Sequence, residues 1–310
     1  MSKNKLILTF LIVVVLLLLP LILKERSSPL KNFEGTQLSD LHYSEVNFIN
    51  AYDQTKLAGM LFKPIKKDSF PIAIIIHGSG NSSRQNKWYL ELVKHLQDNG
   101  IGVLLPDKRG CEKSEGNWVG LTIEELATDT EAAINFIKNS YPNNVTGVGL
   151  IGVSQGGWIA PVVGSKVNDL SFIANISGAL TNGISQLKFE EINNIAQFTY
   201  KPIAQLISGL TVKNLANKES IKPFMDFNPV PYWKNVKTSS AFIVFGQNDT
   251  NCPVEQSLEI VKSNNLTHLK VKVYSDGKHA ILNETKTAIS DIFLDDIVDF
   301  IYESNSIINK

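Results

Sequence analysis

Residues 150–160 read "LIGVSQGGWIA", with a single serine, Ser154, between Gly152 and Gly156. Glycines this close together weaken both strands and helices. The stretch is therefore either an ordinary tight turn or a place where a serine is held strained and exposed. Its flanks decide. Val145 to Ile151 is short, apolar and rich in β-branched residues, as a buried strand is. "QGGWIAPVVGSK" (155–166) reads as a helix, with a kink expected at Pro161. Ser154 then sits where strand becomes helix, the context in which Gly-x-Ser-x-Gly forms a nucleophile elbow. A helix starting there points its N–H groups at any negative charge forming beside the serine. The motif by itself arises by chance in about one chain in ten of this length, so the strand and helix around it carry the weight.

Working outward, the same rhythm repeats. "YSEVNFIN" (43–50) and "TKLAGMLFKP" (55–64) alternate and predict an antiparallel pair. "FPIAIIIHGSG" (70–80) contains a strand apolar on both faces, and "KWYLELVKHLQDNG" (87–100) is a helix ended by Gly100. "IGVLLPD" is a further strand. The helix "LTIEELATDTEAAINFIKN" opens with a capping box, Thr122 and Glu125. "LSFIANISG", "SSAFIVFGQND" and "HLKVKVYSDGKH" supply three more strands, and a last helix is expected near Ala288 to Tyr302. Strands alternating with helices predict an α/β architecture: a mostly parallel sheet with helices on both faces. One segment, 179–236, is too long for a plain connection. Inserted after a strand end, it is expected to cap the ligand-binding edge of the sheet.

A serine hydroxyl needs a base, and the base needs orienting. The chain has five histidines. His42, His95 and His268 lie away from the expected site, and His77 ends a strand. His279, in the loop "SDGKHA", follows the last strand at the carboxyl edge and is the favoured base. Asp249, just past the strand "FIVFG", can reach the far imidazole nitrogen in line. Asp276 and Asp226 are its rivals. The resulting order is Ser…Asp…His.

On the pieces "HGSG" (77–80), "DKRGCEKSEG" (107–116), "GVSQGG" (152–157), "GQNDTNCP" (246–253) and "GKHA" (277–280), the chain resembles the α/β-hydrolase superfamily from about Tyr43 onward. Bacterial esterase-like and prolyl-oligopeptidase-like serine hydrolases are the most similar members. The resemblance implies an α/β-hydrolase fold with an eight-stranded sheet and a small helical cap. It also implies an oxyanion hole from the backbone N–H groups of Ser79 and Gln155. Glu112 stands where the family's D-x-R-G-x-G-x-S loop has its second glycine, and Asp107 and Arg109 read as structural.

The expected chemistry is hydrolysis of a carboxylic ester through an acyl-enzyme on Ser154, with His279 as base and Asp249 orienting it. It calls for no cofactor and no metal. A serine peptidase or aminopeptidase is the alternative, with Glu190 and Glu191 of the cap available to an amine. A non-catalytic, membrane-anchored binding protein is a third reading. Cap aromatics Phe189, Phe198, Tyr200, Phe224, Phe227, Tyr232 and Trp233 are candidates for an acyl pocket.

The 310 residues are 43% hydrophobic and 19% charged, with zero formal net charge. That suits one sizeable domain and argues against a nucleic-acid partner. Cys111 and Cys252 read as unpaired thiols. At the start, Lys3 and Lys5 precede an apolar run, Leu6 to Leu23, long enough for about 27 Å of helix. Residues 1–26 are expected to be a single-pass membrane anchor with the catalytic domain extracytoplasmic, or a signal sequence cut near Ser27 and a secreted enzyme. Residues 27–40 read as a polar linker and 41–310 as the hydrolase domain.

Overall fold

Phe70–Ile76, "FPIAIII", is buried along its whole length, and its alternation builds the two layers of the molecule. The computed structural model describes residues 3–23, 30, 32–65, 67–238 and 240–308, without the side chains of 16–23 and 307–308. Its strands are β1 (Ser44–Ile49), β2 (Lys56–Phe62), β3 (Phe70–Ile76), β4 (Gly102–Pro106), β5 (Val145–Val153), β6 (Phe172–Ile176), β7 (Ala241–Gly246) and β8 (Leu269–Tyr274). Its helices are α1 (Lys3–Leu23), α2 (Lys87–Asp98), α3 (Ile123–Ser140), α4 (Gly156–Lys166), α5 (Gly183–Ala196), α6 (Lys201–Ala216), α7 (Val230–Lys234), α8 (Val254–Ser263) and α9 (Asp291–Ile308).

The strands form one eight-stranded sheet in the order β1-β2-β4-β3-β5-β6-β7-β8. β1 and β2 run antiparallel, β2 is antiparallel to β4, and the remaining neighbours are parallel. Ile72, Ile74 and Ile76 of β3 point into the layer that holds α3 and α4. Ala73 and Ile75 point into the layer of α2 and α9. Period-two alternation thus sends an unbroken apolar run into two cores, each buried isoleucine contributing about 1.5–3 kcal/mol. The capping box at Thr122 and Glu125 starts α3. The last helix begins at Asp291, three residues later than the sequence pattern suggests, because Leu282 and Ile289 first pair in a short antiparallel bridge.

The segment between β6 and β7 is helical: α5, α6, a 3-10 turn at Lys222–Phe224, and α7. Residues 32–40 are more than a linker. The Glu34 N–H donates to Thr287 O at 2.9 Å, and the Thr36 N–H donates to Glu91 Oε2 at 2.8 Å. Residues 27–29 and 31 of that stretch, and the cleavage point near Ser27, lie outside the described residues.

The expectation of a membrane anchor is corrected. Lys3–Leu23 does form a helix, but among the described residues no helix is long and apolar enough to cross a membrane. The membrane as partner and the extracytoplasmic placement fall with the anchor.

Candidate active site

Backbone conformation places Ser154 first. β5 ends at Val153, and Ser154 takes a left-handed φ of 52°, a costly conformation for a residue with a Cβ. Its N–H donates to Ile176 O at 2.8 Å, and its carbonyl accepts from the Gly157 N–H at 2.8 Å. The turn is tight enough to explain both glycines. A Cβ on Gly152 would lie 2.2 Å from Gly156 O, and one on Gly156 would lie 2.2 Å from Ile76 O. α4 starts at once and continues through Pro161 to Lys166.

Two neighbouring strand ends supply the partners. Asp249 follows β7 and is buried. Its Oδ1 accepts the N–H groups of Asn251 at 2.7 Å and Cys252 at 2.9 Å. The other oxygen, Oδ2, lies 2.8 Å from His279 Nδ1. His279 follows β8 in a loop where Asp276 and Lys278 both have positive φ, and its Nε2 lies 3.1 Å from Ser154 Oγ. The structure therefore brings Ser154, His279 and Asp249 into one chain of contacts across three strand ends. Asp276 is exposed and turned to Asn248 at 3.4 Å, and Asp226 is exposed. His95 meets Asp295, His268 meets Trp233 O, and His77 Nε2 meets Pro106 O at 2.7 Å.

The electrostatics separate the histidines. Burial drives His77 down to about 4, so it is neutral. Burial also opposes charge on His279, but the Asp249 hydrogen bond and charge, with Glu190 adding to them, leave its pKa raised. A raised base with a free lone pair toward a serine is suited to taking that serine's proton.

Above Ser154 lies a cavity of about 650 Å³. Ser79 and Gln155 line it, and neither backbone N–H donates to a protein acceptor among the described residues. From the other side come Leu187, Glu190 and Glu191 of α5, and Phe224 and Met225 beyond α6. Burial raises the pKa of Glu190, against the pull of His279. Of the aromatics expected to form an acyl pocket, Phe224 lines the cavity. Trp233 is fully buried, and Phe198 and Tyr200 are exposed. Phe227 stacks on Tyr232.

The loop at Asp107 is built as a brace. Arg84 Nε and Nη2 donate to Asp107 at 2.8 and 2.7 Å, and Arg109 Nε donates to Asp129 at 3.0 Å. Glu112, in the family's glycine position, has φ 51° and accepts the Arg84 N–H at 3.0 Å. Sequence reading passed over Lys108, which touches both sides of the site; nothing in its local pattern marks it.

An open α/β sheet of this order, with an elbow serine at the carboxyl edge, defines an α/β-hydrolase. The chain belongs to the family described as serine aminopeptidase, S33, whose model matches residues 68–224. The Pyrococcus furiosus esterase Pf2001 is similar in fold, with 21% identity over 88% of this chain and 98% of that one and a TM-score of 0.66. Est1E from Butyrivibrio proteoclasticus shares 17% identity over 85% of this chain and all of its own, at a TM-score of 0.63. An acylaminoacyl peptidase from Pyrococcus horikoshii is 18% identical over 78% of this chain but 38% of its own length, at a TM-score of 0.55. No curated protein matches the chain.

Proposed function

We propose that the protein is a serine hydrolase that cleaves carboxylic esters through an acyl-enzyme on Ser154. The observation that carries this is the contact chain Ser154 Oγ to His279 Nε2 at 3.1 Å and His279 Nδ1 to Asp249 Oδ2 at 2.8 Å, at the floor of a cavity. Ser154 attacks the ester carbonyl while His279 takes its proton. Asp249 holds the imidazole in the tautomer that presents Nε2 as acceptor. The carbonyl oxygen becomes an anion facing the N–H groups of Ser79 and Gln155, each worth about 2.7–4 kcal/mol of barrier. His279 then protonates the leaving alcohol. Water repeats the sequence on the acyl-enzyme and frees the acid.

A peptidase or aminopeptidase is the second reading, favoured by one observation: Glu190 and Glu191 line the same cavity as Ser154, where a substrate amine would meet negative charge.

The test is hydrolysis of short p-nitrophenyl esters by the full chain beside Ser154→Ala. Turnover by the wild type, falling at least about 1,000-fold in the variant, is expected. Equal rates in both proteins would sink the acyl-enzyme. Turnover of aminoacyl p-nitroanilides without turnover of esters would move the assignment to the peptidase reading.

A further inference from the structure

The chemistry above leaves Lys108 unused. It lies two residues past the end of β4 and is 9% exposed. An ammonium has three N–H donors, and this one meets three acceptors: Gly78 O at 3.0 Å, Gly80 O at 3.0 Å and Gln155 Oε1 at 3.2 Å. The Lys108 N–H donates to Ser82 Oγ at 3.0 Å, and Nζ sits 4.4 Å from the centre of the Trp118 ring. Among the described residues no carboxylate pairs with it. Asp107 is taken by Arg84.

The direction of these bonds matters. The carbonyl and the following N–H of a trans peptide point opposite ways, and the described backbone has no cis peptide. Turning Gly78 O toward Lys108 therefore turns the Ser79 N–H away from it. The Tyr89 hydroxyl, accepting from the Gly78 N–H at 3.0 Å, pins the preceding peptide. On the other side, Lys108 grips the side chain of Gln155, whose own N–H is the second donor. One ammonium ties together the two backbone segments that must face the same oxygen.

We propose that Lys108 is a positioning residue that sets the oxyanion hole, its three hydrogen bonds aligning the Ser79 and Gln155 N–H groups on the tetrahedral intermediate. This rests on the serine-hydrolase reading. Because the alignment is needed in the transition state, losing it should lower kcat and leave KM nearly unchanged.

The site also predicts a pH signature. Burial pulls Lys108 down to about 8, with the Cys111 thiol acting in the other direction. The other charged groups around it are already committed: Asp107 to Arg84, and Arg109 to Asp53 and Asp129. His77, from the end of β3, is neutral. A neutral amine keeps two donors for three acceptors, so the tether is complete below about 8 and weakens above it. The rate should fall as pH rises through about 8.

The test compares Lys108→Met and Lys108→Arg with wild type in ester turnover and in phosphonylation of Ser154 by a fluorophosphonate, from pH 6 to 10. Lys108→Met is expected to lose about 10- to 100-fold in kcat, to keep KM within twofold, and to lose the alkaline limb. Lys108→Arg stays charged throughout. It should keep part of the rate and show no fall near pH 8. A Lys108→Met variant with wild-type kcat overturns the proposal, as does a limb that survives in it, which would instead follow from Lys278, whose pKa burial also lowers. Should that variant not fold, Lys108→Arg decides: a wild-type fall in phosphonylation near pH 8 that Lys108→Arg lacks supports the role, and a fall that persists in Lys108→Arg, or a wild-type profile flat to pH 10, overturns it. A wild type inert to both reagents sinks the serine-hydrolase reading itself, whereas a reactive wild type with indifferent variants sinks the role of Lys108 alone.

Discussion

Ser154, Asp249 and His279 stand at the ends of β5, β7 and β8, while Leu187, Glu190 and Met225 reach the same cavity from the inserted segment. The two sides are held by different means. Below, backbone groups do the fixing: Ser154 N–H on Ile176 O, and Asp249 Oδ1 on two consecutive N–H groups. Above, α5 is tied to the β7–α8 loop by side chains, Gln186 Nε2 to Asn251 O at 2.9 Å and Asn193 Nδ2 to Thr250 O at 3.0 Å. α6 leaves Leu206 83% and Leu210 71% exposed, so among the described residues much of its surface packs on nothing. Under the proposed function, chemistry sits on parts fixed by backbone hydrogen bonds, and substrate choice on parts that change at little cost to the fold.

The sharpest way to break this comparison is at Asp249. Asp249→Asn keeps the volume but presents an amide where His279 Nδ1–H needs an acceptor, and kcat should fall about 10⁴-fold. The pH profile tests the same contact. With its folded pKa raised, His279 stays protonated and inactive to a higher pH than a free imidazole, so wild-type kcat/KM should fall as pH drops through a value above about 6.5. Removing the carboxylate should move that limb down. A variant with wild-type rate and an unmoved limb would mean that Asp249 only braces its loop.

Glycine substitutions sharpen the contrast in stability. Gly156→Ala drives a Cβ into Ile76 O and C at 2.2 and 2.8 Å, all backbone. It should cost about 1–3 kcal/mol in urea denaturation and displace Ser154. Gly209→Ala, mid-helix in α6 with nothing within 4 Å of the new Cβ, should instead stabilise by about 0.5–1 kcal/mol. Equal effects at the two sites would erase the distinction between floor and roof.

What was legible in the sequence follows the same divide. Period-two and period-3.6 patterns come from burial, and the sheet is buried on both faces, so its strands and their α/β order could be read directly. Ser154 was marked by two glycines that only a crowded elbow requires. Asp249 and His279 were marked by following strands on the same edge. Lys108 was not, because its role arises from three acceptors on two distant loops. Glu190 was half legible: side by side with Glu191 on a helix, it reads as a solvated face as readily as an amine site, and its place in the cavity lining comes from the fold. The helix α1 shows the opposite failure, since an apolar run and flanking lysines suggested more than the described residues support.

Glu190 is the smallest and most informative probe of the roof. Its carboxylate lines the cavity with a raised pKa and acts electrostatically on His279. Two roles therefore compete. If it meets a substrate amine, Glu190→Gln should raise KM for an aminoacyl ester by about tenfold, the value of one charge-assisted hydrogen bond of about 1.5 kcal/mol. KM for the matching uncharged ester should stay within twofold. If instead it only tunes His279, both esters should respond alike, and the acid limb should move down because one of the charges favouring the imidazolium has gone. Steady-state kinetics on the two esters across pH 5–8 separate the roles. An unchanged KM for both, with an unmoved limb, would make Glu190 a packing residue and leave the peptidase reading without support from the cavity.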